Sequence, residues 1–319
     1  MYVLGIDAGG TKTVCYLADR DGAIVGEGRG GGANLQAHGE LEVEKVLHAV
    51  IETAYGDRAI LPAAVCLGVA GVDRAEDDRI VRGIMRRLGF RSRTLVVNDA
   101  LVALVAGVGD QPGVVMIAGT GSIAYGVNAE GYAARSGGWG YVLGDEGSGY
   151  WIGREALAAL VREADGRGPR TRLTPLILEY FHVSQPAGLV HEVYDAGLRR
   201  PAIAALGPVV ERARAEGDVV AAEILRAAAM ELTRAAASVI ERLGMRGDAF
   251  QTVLAGGMFR VIPWLVEDVT RRLAEVAPRT TVTQLQIEPA IGAVHLALKQ
   301  LRGDVRVPQY IDHLSTSRA

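Results

Sequence analysis

The opening of the chain shows apolar runs separated by glycine-rich or polar turns. Residues 2–7 form an apolar run that leads into a glycine turn at residues 8–11. Apolar and polar positions then alternate through residues 13–18, and a second turn at residues 19–22 precedes a returning run at 23–28. Alternation with a period of two, bounded by turn residues, predicts β-strands joined as hairpins. We therefore expect three consecutive strands at the start of the fold.

The same pattern recurs after residue 113. Residues 114–118 are apolar and lead into a glycine turn at residues 119–122. Residues 123–127 form the second run, and a turn at 128–131 precedes a third run at 132–135. Two glycine turns with matching flanking hairpins indicate an internal duplication of a strand–turn–strand unit.

Helical and strand periodicities alternate in the rest of the chain. Helices are predicted at residues 40–54, 76–88, 100–106, 150–161, 172–180, 203–216, 218–243 and 290–301. Further strands are predicted at residues 63–69, 94–97, 252–255 and 281–287. The residues of helix 40–54 expected to face the core are Leu41, Leu47, Val50, Ile51 and Ala54. Helix 100–106 is apolar on every side, so we expect it to be buried between two lobes. Strands that alternate with helices indicate an α/β protein with mixed sheets.

Length and composition indicate a globular protein of two domains. The chain has 319 residues, of which 49% are apolar and 22% are charged. The net charge of −3 provides no basic surface for nucleic acid or an acidic membrane. No apolar run reaches the roughly 18 residues that span a bilayer, and the N-terminus has no signal-type segment. The sequence therefore predicts a cytoplasmic protein that binds neither nucleic acid nor a membrane.

The first glycine turn has the composition of an anion site. Backbone N–H groups of Gly9 and Gly10 can converge on a phosphate because glycine has no Cβ to block the approach. Thr11 adds a hydroxyl donor, and Asp7 could hold Mg²⁺ directly or through water. An ordinary glycine hairpin is the alternative. A P-loop is excluded, because Thr11 separates Gly10 from Lys12 and a strand follows.

The second glycine turn contains Gly119, Thr120 and Gly121 and loosely matches a dinucleotide-binding fingerprint. That fingerprint requires a helix directly after the turn, whereas residues 123–127 have the pattern of a strand. A second phosphate clamp that faces the first one accounts better for the duplication. We expect two hairpins on opposing lobes to close on a triphosphate.

Two further segments carry acids suited to an acceptor site. Asp99 follows the predicted strand 94–97, where a carboxylate could accept a hydroxyl proton, although a helix cap is the alternative. The glycine-rich segment 137–149 contains Trp139, Asp145 and Glu146. Carboxylates bind vicinal hydroxyls and an indole face covers a sugar ring, whereas the alternative is a structural Ω-loop.

Taken together and in this order, these motifs resemble the superfamily of actin, sugar kinases and heat-shock ATPases. The motifs are residues 5–13, 97–107, 115–126, 254–260 and the helix start at 289–293. Within that superfamily, residues 138–140, 143–148 and 150–153 are similar to the N-acetylglucosamine kinase branch of the BadF/BadG/BcrA/BcrD ATPase family.

The resemblance implies an α/β fold of two ribonuclease H-like lobes, each with a mixed β-sheet flanked by helices, and ATP in the cleft between them. The first lobe would comprise residues 1–110 together with the C-terminal segment 290–319. The second lobe would comprise residues 111–289. A homodimer is also implied by the resemblance.

The implied activity is ATP- and Mg²⁺-dependent phosphorylation of an amino sugar, by preference N-acetylglucosamine at its 6-hydroxyl. Asp99 corresponds to the catalytic base, and Asp7 to the acid linked to Mg²⁺. Together with the residue chemistry above, the resemblance assigns to ATP Asp7, Gly9, Gly10, Thr11, Lys12, Gly119, Thr120, Gly121, Gly256, Gly257 and Met258. The residues assigned to the sugar are Asn34, Asp99, Ser122, Gly138, Trp139 and Asp145, to which we add Glu146.

Other activities of related proteins stay open or are disfavoured by particular residues. Glucosamine, N-acetylmuramic acid and broad hexose specificities stay open, because the pocket for the sugar's 2-substituent does not follow from sequence. An ATPase that activates a redox partner is disfavoured, because such proteins hold a cluster through cysteines near the start of the second lobe. Here Cys15 and Cys66 lie in strand-like runs of the first lobe, and we expect buried thiols. A sugar-sensing repressor is disfavoured, because the sequence given starts at the first phosphate strand.

Overall fold

The computed structural model describes residues 1–72, 75–91, 93–195 and 200–311, and the part of the predicted segment 290–319 beyond residue 311 lies outside this description. The strands in it are β1 Tyr2–Ala8, β2 Lys12–Asp19, β3 Ile24–Gly31, β4 Ala64–Val69, β5 Arg93–Asn98, β6 Gly113–Ala118, β7 Ser122–Val127, β8 Tyr132–Gly137, β9 Gln251–Ala255, β10 Thr281–Gln284 and β11 Gln309–Tyr310.

The helices within the same ranges vary in length from three residues in α7 to 24 residues in α10. They are α1 Leu35–His38, α2 Glu40–Tyr55, α3 Ala75–Arg87, α4 Asp99–Val108, α5 Gly149–Ala164, α6 Leu173–Tyr180, α7 Gly188–Val190, α8 Arg200–Ala204, α9 Gly207–Ala215, α10 Val219–Arg242, α11 Gly257–Val261, α12 Pro263–Val276 and α13 Ala290–Arg302. A π-helical turn, His191–Asp195, follows α7. None of the helices in the described part of the chain is long and apolar enough to cross a bilayer.

The strands form two mixed sheets with the same internal plan. The first sheet has the order β3-β2-β1-β4-β5, and the second has the order β10-β9-β6-β7-β8-β11. In each, three consecutive strands are antiparallel, and the first of them also pairs in parallel with a later strand, β4 or β9. The duplication predicted from the two glycine turns is therefore confirmed in the strand order.

Helices cover both faces of the first sheet. One face packs on α2 and α3 through a buried cluster that includes Leu4, Ile6 and Leu17. The opposite face packs on α4 and α13 through a second cluster that includes Val14 and Tyr16. Burial on both faces explains why β1 and β4 are apolar at nearly every position instead of alternating.

Helix α4 lies between the two sheets, as its apolar sequence predicts. It contacts β1, β4 and β5 of the first sheet and β6, β7 and β9 of the second. Helix α13 crosses it closely at Gly292, where a Cβ atom would lie 2.0 Å from the carbonyl oxygen of Val102. Only glycine permits this approach, which gives a physical reason for the glycine in the motif at residues 289–293. The crossing fixes the start of α4 and therefore the position of Asp99.

The second sheet carries the larger core. Helix α10 packs across β6, β7 and β8, and α5, α9 and α12 complete the apolar cluster around it. The first turn of α10 is fixed by Asp218, whose carboxylate accepts hydrogen bonds from the Ala221 N–H at 2.7 Å and the Thr171 hydroxyl at 2.9 Å. Cys15 and Cys66 lie buried in β2 and β4 as free thiols, as predicted.

Several sequence-based predictions of elements need correction. Leu41 does not face the core: it is 68% exposed, and Val43 takes the buried position one turn before Leu47. The predicted helix 203–216 is divided into α8 and α9, because Pro208 stands in the first turn of α9 and cannot continue a preceding helix. The predicted strand 281–287 ends earlier, at Gln284. Helix α12 is absent from the prediction.

Candidate active site

The two glycine turns join the last paired residues of their strands through four residues (9–12) and three residues (119–121), respectively, and they meet at their tips. The Gly9 N–H donates to the Lys12 carbonyl at 3.0 Å, and the Gly119 N–H donates to the Gly121 carbonyl at 2.9 Å. The hydroxyl oxygens of Thr11 and Thr120 lie 2.8 Å apart in a hydrogen bond. The two turns are 109 residues apart in sequence, yet their threonine hydroxyls are in direct contact.

Lys12 is held by an acid that the sequence did not single out. Its Nζ donates to Oε2 of Glu288 at 2.6 Å, and Nη1 of Arg29 donates to Oε1 of the same carboxylate at 2.9 Å. Burial alone would raise the pKa of Glu288, but the hydrogen bonds from Lys12 and Arg29 outweigh burial and hold that pKa below its usual value. Glu288 is therefore a carboxylate fixed between two cations.

Asp7 lies at the end of β1 and is 7% exposed. Burial raises the pKa of Asp7 to about 8, and the negative charge of Asp99 adds to this effect. The charge of Lys12 opposes the shift, and that of Glu288 reinforces it. Asp7, Lys12, Asp99 and Glu288 consequently form one electrostatic neighbourhood on the face of the first sheet that packs on α4 and α13, which we call its cleft side.

The residues around Asp7 fit a magnesium ion that is shared with a bound phosphate. Within the described ranges, no group of three or more His, Cys, Asp or Glu side chains could hold a metal by itself. Mg²⁺ typically takes one or two carboxylates and completes its shell with water and substrate phosphates. A cation near Asp7 and Asp99 would also favour the ionised carboxylates against burial. The donor set therefore suits a metal that arrives with a nucleotide.

Asp99 is the first residue of α4, directly after β5. The cap of this helix is Asn98, whose side chain accepts a hydrogen bond from the Ala100 N–H at 2.8 Å. The alternative in which Asp99 serves as the helix cap is therefore wrong. Asp99 is half-buried, and its charge acts on Asp7 across the cleft side of the sheet.

The segment between β8 and α5, residues 138–148, is fastened to the second glycine turn. The Ser122 N–H donates to Oδ1 of Asp145 at 3.3 Å, and the Ser122 hydroxyl donates to the Glu146 carbonyl at 2.7 Å. The Gly138 N–H donates to the Ser122 carbonyl at 2.9 Å, and the Gly149 N–H reaches the Gly119 carbonyl at 2.8 Å. Residues 138–148, which we call the acceptor loop, and the second glycine turn therefore form one unit.

Asp145 is the most constrained residue of this loop. It is 7% exposed and has a φ of +62°, a left-handed conformation that non-glycine residues adopt rarely. Burial raises its pKa, and the Ser122 N–H and the positive charge of Arg200 oppose the shift. A buried carboxylate held in an unfavourable backbone conformation is typical of a binding site.

Trp139 and Glu146 lie on the exposed part of the loop. The Trp139 side chain is 61% exposed, and the Arg135 guanidinium carbon stands 4.6 Å from the centre of its ring. One face of the indole is thus covered by a cation within the protein. Glu146 is exposed, with its backbone rather than its carboxylate tied to Ser122.

Asn34 follows β3 beside the first glycine turn. Its side chain caps the short helix α1 by accepting a hydrogen bond from the Ala37 N–H at 2.9 Å. The Ala33 N–H donates to the Gly9 carbonyl at 3.0 Å, and Nε2 of His38 lies 3.3 Å from the Gly10 carbonyl. These contacts place Asn34 next to Gly9 and Gly10.

The turn after β9 lies against the end of β6. Gly256 has a φ of +101°, and a Cβ atom there would stand 2.4 Å from the Ala118 carbonyl oxygen. Glycine is required at this position for both reasons. Gly257 begins α11, whereas the side chain of Met258 is buried in the core of the second sheet. Only the backbone of Met258 remains near the turn.

A cavity of about 180 Å³ opens between the acceptor loop and α10. Its residues come from β6, β7, β8, the loop and the middle of α10. They are Met116, Ser122, Ile123, Ala124, Ser136, Gly137, Glu146, Glu231, Leu232, Arg234 and Ala235. Glu231 and Arg234 neutralise each other in an ion pair at 2.6 Å. The cavity thus borders Ser122 and Glu146 on the side away from the first sheet.

Sequence reasoning missed Glu288, Arg29 and Arg200. Glu288 stands directly before the Pro289 that starts the last connecting motif, and an acid at such a junction is a signal that could have been used. Arg29 lies on β3, and its role appears only through the pairing of β2 with β3. Arg200 acts on Asp145 from a distant helix, so nothing local reveals it.

Comparison with known proteins identifies a family and several relatives that match almost the whole chain. The sequence profile of the BadF/BadG/BcrA/BcrD ATPase family matches residues 4–297. The chain is 37% identical to the N-acetylmuramic acid/N-acetylglucosamine kinase of Clostridium acetobutylicum over 299 residues, 93% of this chain and 98% of that protein. It is 34% identical to the N-acetyl-D-glucosamine kinase of Dictyostelium discoideum over 309 residues, 92% of this chain and 97% of that protein.

A solved structure shows the same fold. A protein from Chromobacterium violaceum, provisionally assigned as an N-acetylglucosamine kinase, superposes with a TM-score of 0.76 at 27% identity, covering 93% of this chain and 98% of that one. The predicted α/β class with two ribonuclease H-like, mixed and helix-flanked sheets is confirmed. The chain belongs to the BadF/BadG/BcrA/BcrD ATPase family.

Proposed function

We propose that this protein transfers the γ-phosphoryl group of ATP to a hydroxyl of an amino sugar, with the 6-hydroxyl of N-acetylglucosamine as the preferred acceptor. The observation that carries the proposal is the meeting of the two glycine turns at Thr11 and Thr120, with Asp7 and Asp99 grouped beside the first turn. The two relatives named above, a kinase of N-acetylmuramic acid and N-acetylglucosamine and a kinase of N-acetyl-D-glucosamine, support the acceptor class.

On the nucleotide side, the two turns grip the phosphates from opposite lobes. The N–H groups of Gly10 and Gly121 and the hydroxyls of Thr11 and Thr120 are the donors. Gly9 and Gly119 shape the turns, because their own N–H groups donate to the Lys12 and Gly121 carbonyls. Phosphate oxygens replace the Thr11–Thr120 hydrogen bond, since each hydroxyl can donate to one of them. Adenosine lies against the turn at Gly256 and Gly257, with the backbone of Met258 beside it.

Asp7 would hold Mg²⁺ at the end of β1, directly or through water. The ion, when bound with ATP, neutralises the charge that develops on the transferred phosphate. Asp7 itself provides a buried carboxyl group, whose ionised form a bound cation would favour. Lys12 contributes a second positive charge at the same turn.

On the acceptor side, Asp99 accepts the proton of the sugar hydroxyl. The hydroxyl oxygen forms a bond to the γ-phosphorus as the bond from that phosphorus to the bridging oxygen of ADP breaks. The negative charge of the Asp99 carboxylate, already evident in its effect on Asp7, attracts the leaving proton. ADP departs with the electron pair of the broken bond.

The sugar is held by Asn34 from the first lobe and by Asp145 and Ser122 from the second. Gly138 lets the loop approach the sugar, and Glu146 and the uncovered face of Trp139 add contacts at its rim. The cavity between the acceptor loop and α10 accommodates the acyl group on the sugar's 2-nitrogen, because it opens directly beside Ser122 and Glu146. An acetamido group is small enough for a space of about 180 Å³.

We place residues 1–110 and the C-terminal segment from residue 290 in one lobe and residues 111–289 in the other. The packing of α13 on β1, β2 and β4 supports this division. Closure of the two lobes excludes water from the transfer step. We also propose a homodimer, on the family resemblance alone, which light scattering of the purified protein tests.

A second acceptor, N-acetylmuramic acid, is favoured by one observation. The Arg200 guanidinium stands over the Tyr141 ring at 4.7 Å and acts on Asp145, so a cation faces the proposed sugar site. The carboxylate of the lactyl ether in N-acetylmuramic acid offers such a cation an ion pair. The relative from Clostridium acetobutylicum carries this sugar in its name.

A coupled assay of ADP formation with a panel of sugars tests the proposed function. The panel comprises N-acetylglucosamine, N-acetylmuramic acid, glucosamine and glucose, with kcat/KM measured for each. We expect the two acylated sugars to exceed glucosamine and glucose, with N-acetylglucosamine first. Absence of turnover on every sugar would contradict the proposal.

A further inference from the structure

The Glu288 carboxylate connects the two sheets at the first glycine turn. Glu288 lies between β10 of the second sheet and α13, which packs on the first. Both of its oxygens are engaged, one by Lys12 on β2 and one by Arg29 on β3. The segment that crosses between the sheets is thus fastened to the strand that leaves the glycine turn.

The Lys12 ammonium lies on the cleft side of the sheet. Side chains alternate along a strand, so Lys12 shares a face with Val14 and Tyr16, which pack toward α4 and α13. Asp7 responds to the charges of both Lys12 and Glu288. The ammonium therefore stands at the mouth of the turn where, on the proposed function, the phosphates bind.

The side chains proposed to bind phosphate, Thr11 and Lys12, make hydrogen bonds to oxygen atoms of the protein. Thr11 donates to or accepts from Thr120, and Lys12 donates to the anionic oxygen of Glu288. A carboxylate oxygen offers a lysine ammonium the same kind of acceptor as a phosphate oxygen does. The ammonium has three N–H donors, so nucleotide phosphates that reach Lys12 share it with Glu288.

We infer that Glu288 competes with the phosphate groups of the nucleotide for the Lys12 ammonium and so limits how tightly ATP and ADP are held. The inference rests on the proposed function, which makes Lys12 a phosphate ligand. Two effects act in the same direction. Glu288 engages one donor of the ammonium and offsets its positive charge, and the negative charge of Glu288 repels the phosphates. Weaker retention of ADP favours release of the product.

The expected size of the effect is modest, because the pair is partly exposed. The side chains of Lys12 and Glu288 are 45% and 22% exposed, so solvent screens their interaction. Ion pairs of this kind change an equilibrium constant by about two- to fivefold. Such a change is well resolved by titration calorimetry.

Calorimetric titration of the Glu288→Gln variant with ADP and with adenosine, both in the presence of Mg²⁺, tests the inference. We expect Glu288→Gln to bind ADP about two- to fivefold more tightly than the wild type. Adenosine has no phosphate, so its affinity should not change, and this also verifies that the cleft is intact. Glu27→Gln is the matched control, since Glu27 pairs with Arg29 and has the same charge but does not contact Lys12. Its ADP affinity should equal that of the wild type.

A double-mutant cycle with Lys12→Met shows whether Glu288 acts through Lys12. The gain from Glu288→Gln should shrink when Lys12 is already Met. An equal gain in both backgrounds, or ADP binding in Glu288→Gln that is unchanged or weaker, overturns the inference while leaving the proposed function intact. A wild-type protein that binds no ADP contradicts the proposed function and the inference together.

Discussion

At the scale of single residues, the site depends on acids whose behaviour is set by their surroundings. Asp7 and Asp99 lie close enough that the charge of one raises the pKa of the other. Asp7 is the more buried of the two and keeps its proton to about pH 8, whereas Asp99 begins a helix whose cap is provided by Asn98. The two acids are therefore suited to different roles, one beside a metal and one beside the sugar hydroxyl.

Replacement of Asp99 by Asn separates proton acceptance from binding. Because an amide cannot accept the hydroxyl proton, kcat on N-acetylglucosamine should fall by about 10²- to 10⁴-fold, while KM for ATP stays near that of the wild type. Steady-state kinetics measure both. Asp110→Asn makes the same change beyond the other end of α4, where Asp110 pairs with Lys299, and should leave kcat unchanged. A kcat of Asp99→Asn within a few-fold of wild type removes Asp99 from the role of base.

The raised pKa of Asp7 predicts how the stability of the metal-free protein depends on pH. The pKa of Asp7 is about 8 in the folded protein, against an ordinary value of 3.8 that the unfolded chain retains. Between these values the folded state binds the additional proton, so stability is greatest at low pH in this window and falls as pH rises toward 8. Asp7→Asn cannot lose a proton and should remove that fall.

Thermal melting at pH 5 and pH 8 without nucleotide or Mg²⁺ measures this dependence. At pH 8 we expect Asp7→Asn to melt above the wild type by about 2–4 °C, which corresponds to roughly 1 kcal/mol in a chain of this size. At pH 5 the difference should be smaller. Equal melting temperatures at pH 8 would show that Asp7 ionises without cost in the folded protein.

At the scale of elements, the second glycine turn and the acceptor loop behave as one unit. Ser122 reaches Asp145 through its N–H and Glu146 through its hydroxyl, and Gly149 returns to Gly119 at the start of α5. A shift of the phosphate turn is therefore transmitted to the sugar side. On the proposed function, this arrangement would couple the position of the nucleotide to that of the acceptor without a separate connecting element.

The cavity between this loop and α10 yields a prediction about selectivity. Ala235→Leu places a larger side chain in the cavity of about 180 Å³ without disfavouring the helix. If the acyl group of the sugar lies there, KM for N-acetylglucosamine should rise by about tenfold, as expected when an apolar contact of 1–2 kcal/mol is lost. KM for glucose, which has no acyl group, should change by less than about twofold.

A control on the same helix separates this effect from a general disturbance. Ala237→Leu adds the same atoms at a residue that does not line the cavity and should leave both KM values unchanged. Sugar kinetics with both variants decide between the outcomes. An equal rise in KM for N-acetylglucosamine and glucose in Ala235→Leu places the acyl group elsewhere.

At the scale of the whole molecule, the features that could be predicted from sequence are those that follow from residues close together in the chain. The duplicated hairpins follow from turn residues and alternation, and the buried position of α4 follows from its apolar sequence. Helix α12 also has a local signal in the four-residue spacing of Leu265, Val269 and Leu273, which the sequence-based prediction does not use.

Other features depend on tertiary contacts and have no local signal. The partnership of Lys12 with Glu288 requires the chain to return to the first sheet through α13. The burial of the Met258 side chain and the charge of Arg200 beside Asp145 likewise arise from helices distant in sequence. Leu41 shows the converse, because sequence alone could have placed it correctly. It lies six residues before Leu47, about 120° away round the helix, and so points away from the core.

The most direct test of the account is identification of the products formed from N-acetylglucosamine, ATP and Mg²⁺ by ³¹P nuclear magnetic resonance. We expect ADP and a sugar phosphomonoester in equal amounts, with the phosphate coupled to the protons on carbon 6. ADP formation should stop when the sugar is omitted. Release of free phosphate in place of a sugar phosphate, at a rate indifferent to sugar, would contradict the account and identify a plain ATPase.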